Sequence, residues 1–168
     1  LRALDPLLAA LSSRRGFTRL HYFGPHGRQL RRQFMRYGIG SMFTDHHFVD
    51  RRVSLSAQRG AGVLLLLTGT HPRYQSVIPS KLFDYMNAGR PILLLGHPDS
   101  EPARLLRESA MGVTLNNPRE ISEYLEAVGT SVNAGAPLSR GAPQEFSRVA
   151  QNRIWIEQLQ RIYARHHP

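Results

Sequence analysis

Two stretches leave this chain little choice of fold. Residues 63–67 read VLLLL and residues 92–95 read ILLL, with no polar side chain in either. A strand with one solvated face alternates polar and apolar residues, so runs without alternation belong to strands covered on both faces. Between them, residues 79–88 carry a helical pattern ended by Gly89. Two buried strands joined through a helix form a parallel crossover unit. The prediction is an α/β protein with a Rossmann-like, doubly wound parallel sheet and helices on both faces.

The flanking sequence continues the alternation. Asp5-Pro6 reads as an N-cap followed by proline at the first helical position, with Leu7, Leu8 and Leu11 on one face. Residues 17–23 and 42–49 read as strands, residues 28–37 as a basic amphipathic helix ended by Gly38, and residues 54–59 as a short helix. Helix 101–110 and strand 113–115 follow. Asn117-Pro118 with Glu120 opens a helix through residue 128. Residues 129–143, rich in Gly, Ala, Ser and Pro, are expected as a tether, and 144–165 as a last helix. The domain reading is therefore 1–143 for the nucleotide-binding unit and 144–168 for a helix packing on it or on a missing partner domain, with Trp155 and Ile156 as packing residues.

Ligands of such sheets bind beyond the carboxyl ends of the strands, and charge points to an anion. The net charge is +10, and 21 of the 22 basic residues are arginine; Lys81 is the single lysine. Lys81 lies in the segment IPSKLFDYMNAGRP, residues 78–91. With Pro79 at the first helical position, the amides of Ser80 and Lys81 have no partner within the helix. Those amides and the positive end of the helix dipole form an anion site. A lysine in that turn opposes the dipole until a phosphate arrives and reverses the sign. Asp84, one turn on, has acceptor atoms for a ribose diol; it is equally suited to pairing with Lys81 at i, i+3. Local physics leaves both readings of Asp84 open.

The longer stretch SVIPSKLFDYMNAGRPILLL resembles the donor-site segment of family-four glycosyltransferases of the GT-B fold, which have two facing Rossmann-like domains, the C-terminal one binding a nucleotide sugar. LHYFGP, HHFVD, GVLLLLTG and GVTL extend the resemblance in the same order across most of the chain. It implies that the amides of Ser80 and Lys81, after Pro79, meet the donor diphosphate, and that Asp84 stands where a carboxylate, usually glutamate, holds the ribose hydroxyls. Val49 and Asp50 match the loop bracketing the base, and Gly24 and Pro25 the turn lining the cleft. Ser76 occupies the place of a second glutamate that touches the donor sugar. The family's basic phosphate pair follows a strand ahead of the opening helix, outside residues 1–168. The resemblance thus implies the C-terminal domain of a transferase of hexosyltransferase type, retaining, in polysaccharide biosynthesis, and a fragment inactive alone. Its partners are a nucleotide-sugar donor and a glycan or lipid-linked acceptor reached through the N-terminal domain.

Other chemistries find little support. Without cysteine there is no disulfide or thiolate site, in agreement with a reducing cytoplasm. The longest uncharged apolar stretch, residues 60–70, is too short to span a bilayer, and no signal-peptide pattern opens the sequence. The expected location is cytoplasmic, with peripheral contact at the inner face of the cell membrane. His46 and His47, neighbours on an expected strand, point to opposite faces. His26 and His97 read as solvated loop residues. No HExxH or spaced His/Asp cluster occurs, so neither metal nor cofactor is expected. Dinucleotide, Walker-type and GxSxG fingerprints are missing. The basic helix with Arg28, Arg31, Arg32 and Arg36 supports an alternative: a non-catalytic Arg-rich α/β module binding nucleic acid or a protein partner, or lying against an anionic membrane. A sugar-nucleotide epimerase of related fold is a third class.

Overall fold

The computed structural model describes residues 4–13 and 18–133, together with 156, 157 and 160. In chain order the elements are α1 (Asp5–Ser12), β1 (Leu20–Tyr22), α2 (Gly27–Arg36), β2 (Phe43–Asp45), α3 (Arg51–Gly60), β3 (Leu64–Leu67), α4 (Ser80–Ala88), β4 (Ile92–Leu95), α5 (Glu101–Glu108), β5 (Gly112–Thr114) and α6 (Pro118–Asn133). Every strand pair is parallel: Leu20 opposes Phe43, Leu64 opposes Ile92, and Ile92 opposes Gly112. The strands form two sheets, β1-β2 and β3-β4-β5, and no described strand bridges β1 and β3.

The two apolar runs are buried for the expected reason. Leu93 and Leu95 enter a core with Leu7, Leu8 and Leu11 of α1, Leu30 and Phe34 of α2, and Ile121 of α6. On the opposite face, Leu64, Leu66, Ile92 and Leu94 meet Leu82 and Met86 of α4 and Leu106 of α5. Both faces of β4 are therefore sealed, and all four of its residues are buried. The first core also takes in Phe43 of β2, so one helix layer spans both sheets.

Several boundaries differ from expectation, each for a local reason. The strand expected at 42–49 ends at Asp45, and His47 adopts a left-handed φ of 55°. The helix expected from residue 54 starts at Arg51, because the Asp50 carboxylate accepts from the Arg52 amide at 2.8 Å. Asp5 is not a cap: Leu4 holds that position and Asp5 lies inside the first turn. α6 continues to Asn133, beyond the expected end at 128. Thr130 and Ser131 donate their hydroxyl hydrogens to the carbonyls of Glu126 and Ala127, both at 3.0 Å, so their side chains bond within the helix rather than turning the backbone out of it. Of the expected helix 144–165, residues 156, 157 and 160 are described and helical, with Ile156 54% exposed; the boundary at 143 and Trp155 lie outside the described residues.

Leu94, fully buried between α4 and α5, is the most direct test of this core. Leu94→Ala should lower stability by about 2–5 kcal/mol in a denaturant titration; a loss below about 1 kcal/mol would mean that the site is not packed as described. A second expectation concerns alkaline pH. Burial pushes up the Tyr124 phenol, and burial with the nearby Asp84 charge pushes up that of Tyr85. Their stabilising effect is complete below the ordinary tyrosine value of 10.0 and is lost as pH rises through the raised folded values. The melting temperature should fall through this window, and the Tyr85→Phe/Tyr124→Phe double variant should flatten the fall.

Candidate functional site

Because the strands are parallel, the turns following β1, β2, β3 and β4 all leave from carboxyl ends. Hydrogen bonds tie these turns together. The Gly24 amide donates to the His47 carbonyl at 2.8 Å, joining the β1 and β2 turns. The Glu101 amide donates to the Gln75 carbonyl at 2.7 Å, and the Gln75 side chain meets His97, joining the β3 and β4 turns. Asn116 exchanges two bonds with the Gly96 backbone at 2.8 and 3.2 Å, holding the end of β4 to the turn after β5.

Side chains cap three of the six described helices, while α1, α2 and α4 start without a side-chain cap. Asp50 caps α3, Ser100 caps α5 and Asn117 caps α6. α1 carries Asp5 in its first turn, and the Asp45 carboxylate packs against Gly27 at the start of α2, leaving no room for a Cβ there. α4 has none of these. Its N-cap is Pro79, with φ −67° and ψ 135°, one position earlier than expected, and a proline side chain has no acceptor. The Leu82 amide donates back to the Pro79 carbonyl at 2.9 Å, while the amides of Ser80 and Lys81 have no acceptor among the described residues. Both residues are exposed, and no carboxylate pairs with Lys81 there. The positive end of α4 is thus open to solvent.

Asp84 does not pair with Lys81. Its Oδ1 accepts from Nη2 of Arg51 at 3.1 Å, across to the first turn of α3. Sequence reasoning missed Arg51, since residues 33 positions apart carry no local signal of contact. The bridge brings the starts of α3 and α4 side by side and leaves Oδ2 of Asp84 free to accept. It also sets a guanidinium beside the segment that carries Lys81.

The remaining expected residues divide into two groups. Gly24 is buried, and a Cβ there would fall 2.6 Å from the Tyr22 hydroxyl oxygen, so a larger residue would have to displace the Tyr22 ring. Val49 is half-buried, and the Asp50 carboxylate is engaged in capping. Ser76 is exposed in the turn before α4, without a hydrogen-bond partner among the described residues, next to exposed Val77 and Ile78. His46 lies past the end of β2; its ring stacks on Phe23 at 4.4 Å, and its Nε2 is 2.9 Å from Nδ1 of His21. His97 is half-buried and bonded, not solvated. No group of three or more described residues is arranged as a metal site. A depression lined by Arg90, Pro91, Met111, Gly112 and Tyr124 sits at the amino ends of β4 and β5, the wrong end for this site.

These features define an α/β unit of Rossmann-like fold, in which the start of α4 lies open at the carboxyl end of β3. The crystal structure of WaaG, a glycosyltransferase involved in lipopolysaccharide biosynthesis, shares this fold: the TM-score is 0.58 at 22% identity, over 77% of this chain and 35% of WaaG. The chain thus matches about a third of the length of that glycosyltransferase. No family model and no curated sequence matches the chain.

The Arg51–Asp84 bridge is largely solvent-facing, with side-chain exposures of 63% and 31%, so it holds position more than it holds the fold together. Arg51→Ala should cost no more than about 1 kcal/mol of stability, measured by denaturation; a larger loss would make the pair a structural element and remove it from the site.

Proposed function

We propose that the chain is the donor-binding part of a glycosyltransferase, which transfers a sugar from a nucleoside-diphosphate sugar to a glycan or lipid-linked acceptor. The observation that carries this reading is the open start of α4: two unpartnered amides, an unpaired lysine and an aligned helix dipole at the carboxyl end of β3. The shared fold with WaaG supports the enzyme class.

In this reading the diphosphate sits against the amides of Ser80 and Lys81, and the Lys81 ammonium approaches its oxygens. As the sugar–phosphate bond breaks, negative charge grows on the departing diphosphate. Fixed donors already pointing at that position lower the barrier without having to reorient. Asp84, steadied by Arg51, takes the ribose hydroxyls. The stacked rings of Phe23 and His46 offer a flat face to the base beside Val49 and Asp50, with Gly24 and Pro25 lining the cleft. Ser76 stands nearest the sugar end. Transfer with retention, without a divalent metal, and in polysaccharide or glycolipid assembly at the inner face of the cell membrane complete the proposal. The acceptor is held by a second domain.

Ser80→Pro separates the amide from the helix. Proline is well tolerated at the first helical position, and Pro79 already has the extended backbone that a following proline needs. The substitution deletes one donor while keeping α4. In calorimetric titrations with UDP and GDP, it should weaken binding at least about tenfold, the value of a hydrogen bond to a charged group, with the melting temperature retained. Asp84→Ala should weaken nucleoside diphosphates while leaving inorganic pyrophosphate unchanged. Unaltered nucleotide affinity in Ser80→Pro would refute the cradle.

A further inference from the structure

α2 presents a basic face, distinct from the start of α4. Its sequence, GRQLRRQFMR, contains four arginines and no acidic residue. Leu30 and Phe34 are buried against the core, which fixes the rotation of the helix. Arg28, Arg32 and Arg36 then fall at i, i+4 and i+8 on one outward stripe, and Arg31 and Met35 on the stripe beside it. All five side chains are exposed, and Met35 has 65% of its surface in solvent. Tyr37 is exposed at the end of the same helix.

Arg52, Arg59 and Arg107 on other helices also lack a carboxylate partner among the described residues, but none of those helices carries four such arginines. On α5, Arg104 is bonded to Glu101 and Glu108; on α6, Arg119 is bonded to Glu123. Each of these cations is neutralised on its own helix. None of the four arginines of α2 has a carboxylate partner among the described residues; Arg31 lies over the Phe43 ring at 5.7 Å. Asp45, whose carboxylate packs against Gly27 at the start of α2, accepts from the His47 amide and pairs with none of these arginines. Among these unneutralised guanidinium groups, Met35 rests on Gly40 at its base and leaves most of its side chain in solvent.

We infer that α2 is a docking surface for a membrane rich in anionic phospholipids: the arginines meet headgroup phosphates while Met35, with Tyr37 at the helix end, enters the interfacial layer. Charge complementarity selects an anionic partner, and the apolar residue among the arginines selects the lipid over nucleic acid. A phosphate backbone leaves Met35 without a role, whereas the headgroup–acyl boundary takes an unbranched thioether beside cations. Juxtaposed basic residues each add an increment of binding to such a surface that salt screens. The inference does not depend on the donor site, since no residue is shared.

Sedimentation of the chain with phosphatidylcholine vesicles, with and without phosphatidylglycerol, tests it. Binding should require phosphatidylglycerol and weaken with salt. Arg28→Gln/Arg32→Gln/Arg36→Gln should reduce it about a hundredfold, at roughly fivefold per arginine. Met35→Ser should weaken vesicle binding while leaving its salt dependence intact. UDP titration should be unchanged in both variants, and unchanged melting temperatures confirm folding. Equal binding to neutral vesicles, no loss in the triple variant, or a single-stranded RNA oligonucleotide bound in preference to anionic vesicles would each overturn the inference.

Discussion

The pairing of β3 with β4 is the constraint on which the rest depends. Two strands without a polar side chain lie side by side, Leu64 opposite Ile92 through Leu67 opposite Leu95. Neither face of β4 can be left wet, so helices must close both: α1, α2 and α6 on one side, α4 and α5 on the other. Parallel strands covered in this way must be joined by crossovers. Each crossover helix that follows a strand then begins at that strand's carboxyl end. The location of any ligand site is a consequence of sealing the apolar strands.

Given that layout, α4 omits a device that α3, α5 and α6 use. Asp50, Ser100 and Asn117 each supply an oxygen to a helix start. Proline in that position fixes the backbone extended and supplies nothing, so the first two amides of α4 remain available. Folding loses the stabilisation of a cap, typically about 1 kcal/mol, and leaves a rigid pair of donors beside a lysine. The cross-helix bridge from Arg51 to Asp84 then fixes the second helix start against the first. An open helix start and a capped one are alternatives at this position, and the sequence IPSK selects the former.

The fold was legible because its signals are repetitive: uninterrupted leucine runs, Gly89 in a left-handed cap at φ 69°, and Asn117 at a helix start. The WaaG comparison supports the α/β architecture drawn from those signals. The edges were less legible. β2 stops at Asp45 because His47 turns left-handed, which the apolar pattern of Phe48 and Val49 conceals. At the site, the unpaired amides were visible in the sequence, since they follow from the position of one proline. Arg51 and the stacked rings of Phe23, His46 and His21 were not, because they depend on contacts between turns far apart in the chain. The separation of β1-β2 from β3-β4-β5 was equally hidden, for no residue type marks which strand lacks a neighbour.

The claim most in need of measurement is that the amides of Ser80 and Lys81 are the diphosphate's ligands. Amide proton–nitrogen spectra of the isotope-labelled chain, recorded while UDP is added, read those two groups directly. The account predicts that the largest shifts fall on the resonances of Ser80 and Lys81, with smaller ones near Asp84 and in the turn after β2. Shifts confined to α2 or to the amino ends of β4 and β5, with Ser80 and Lys81 unmoved at saturation, would contradict it.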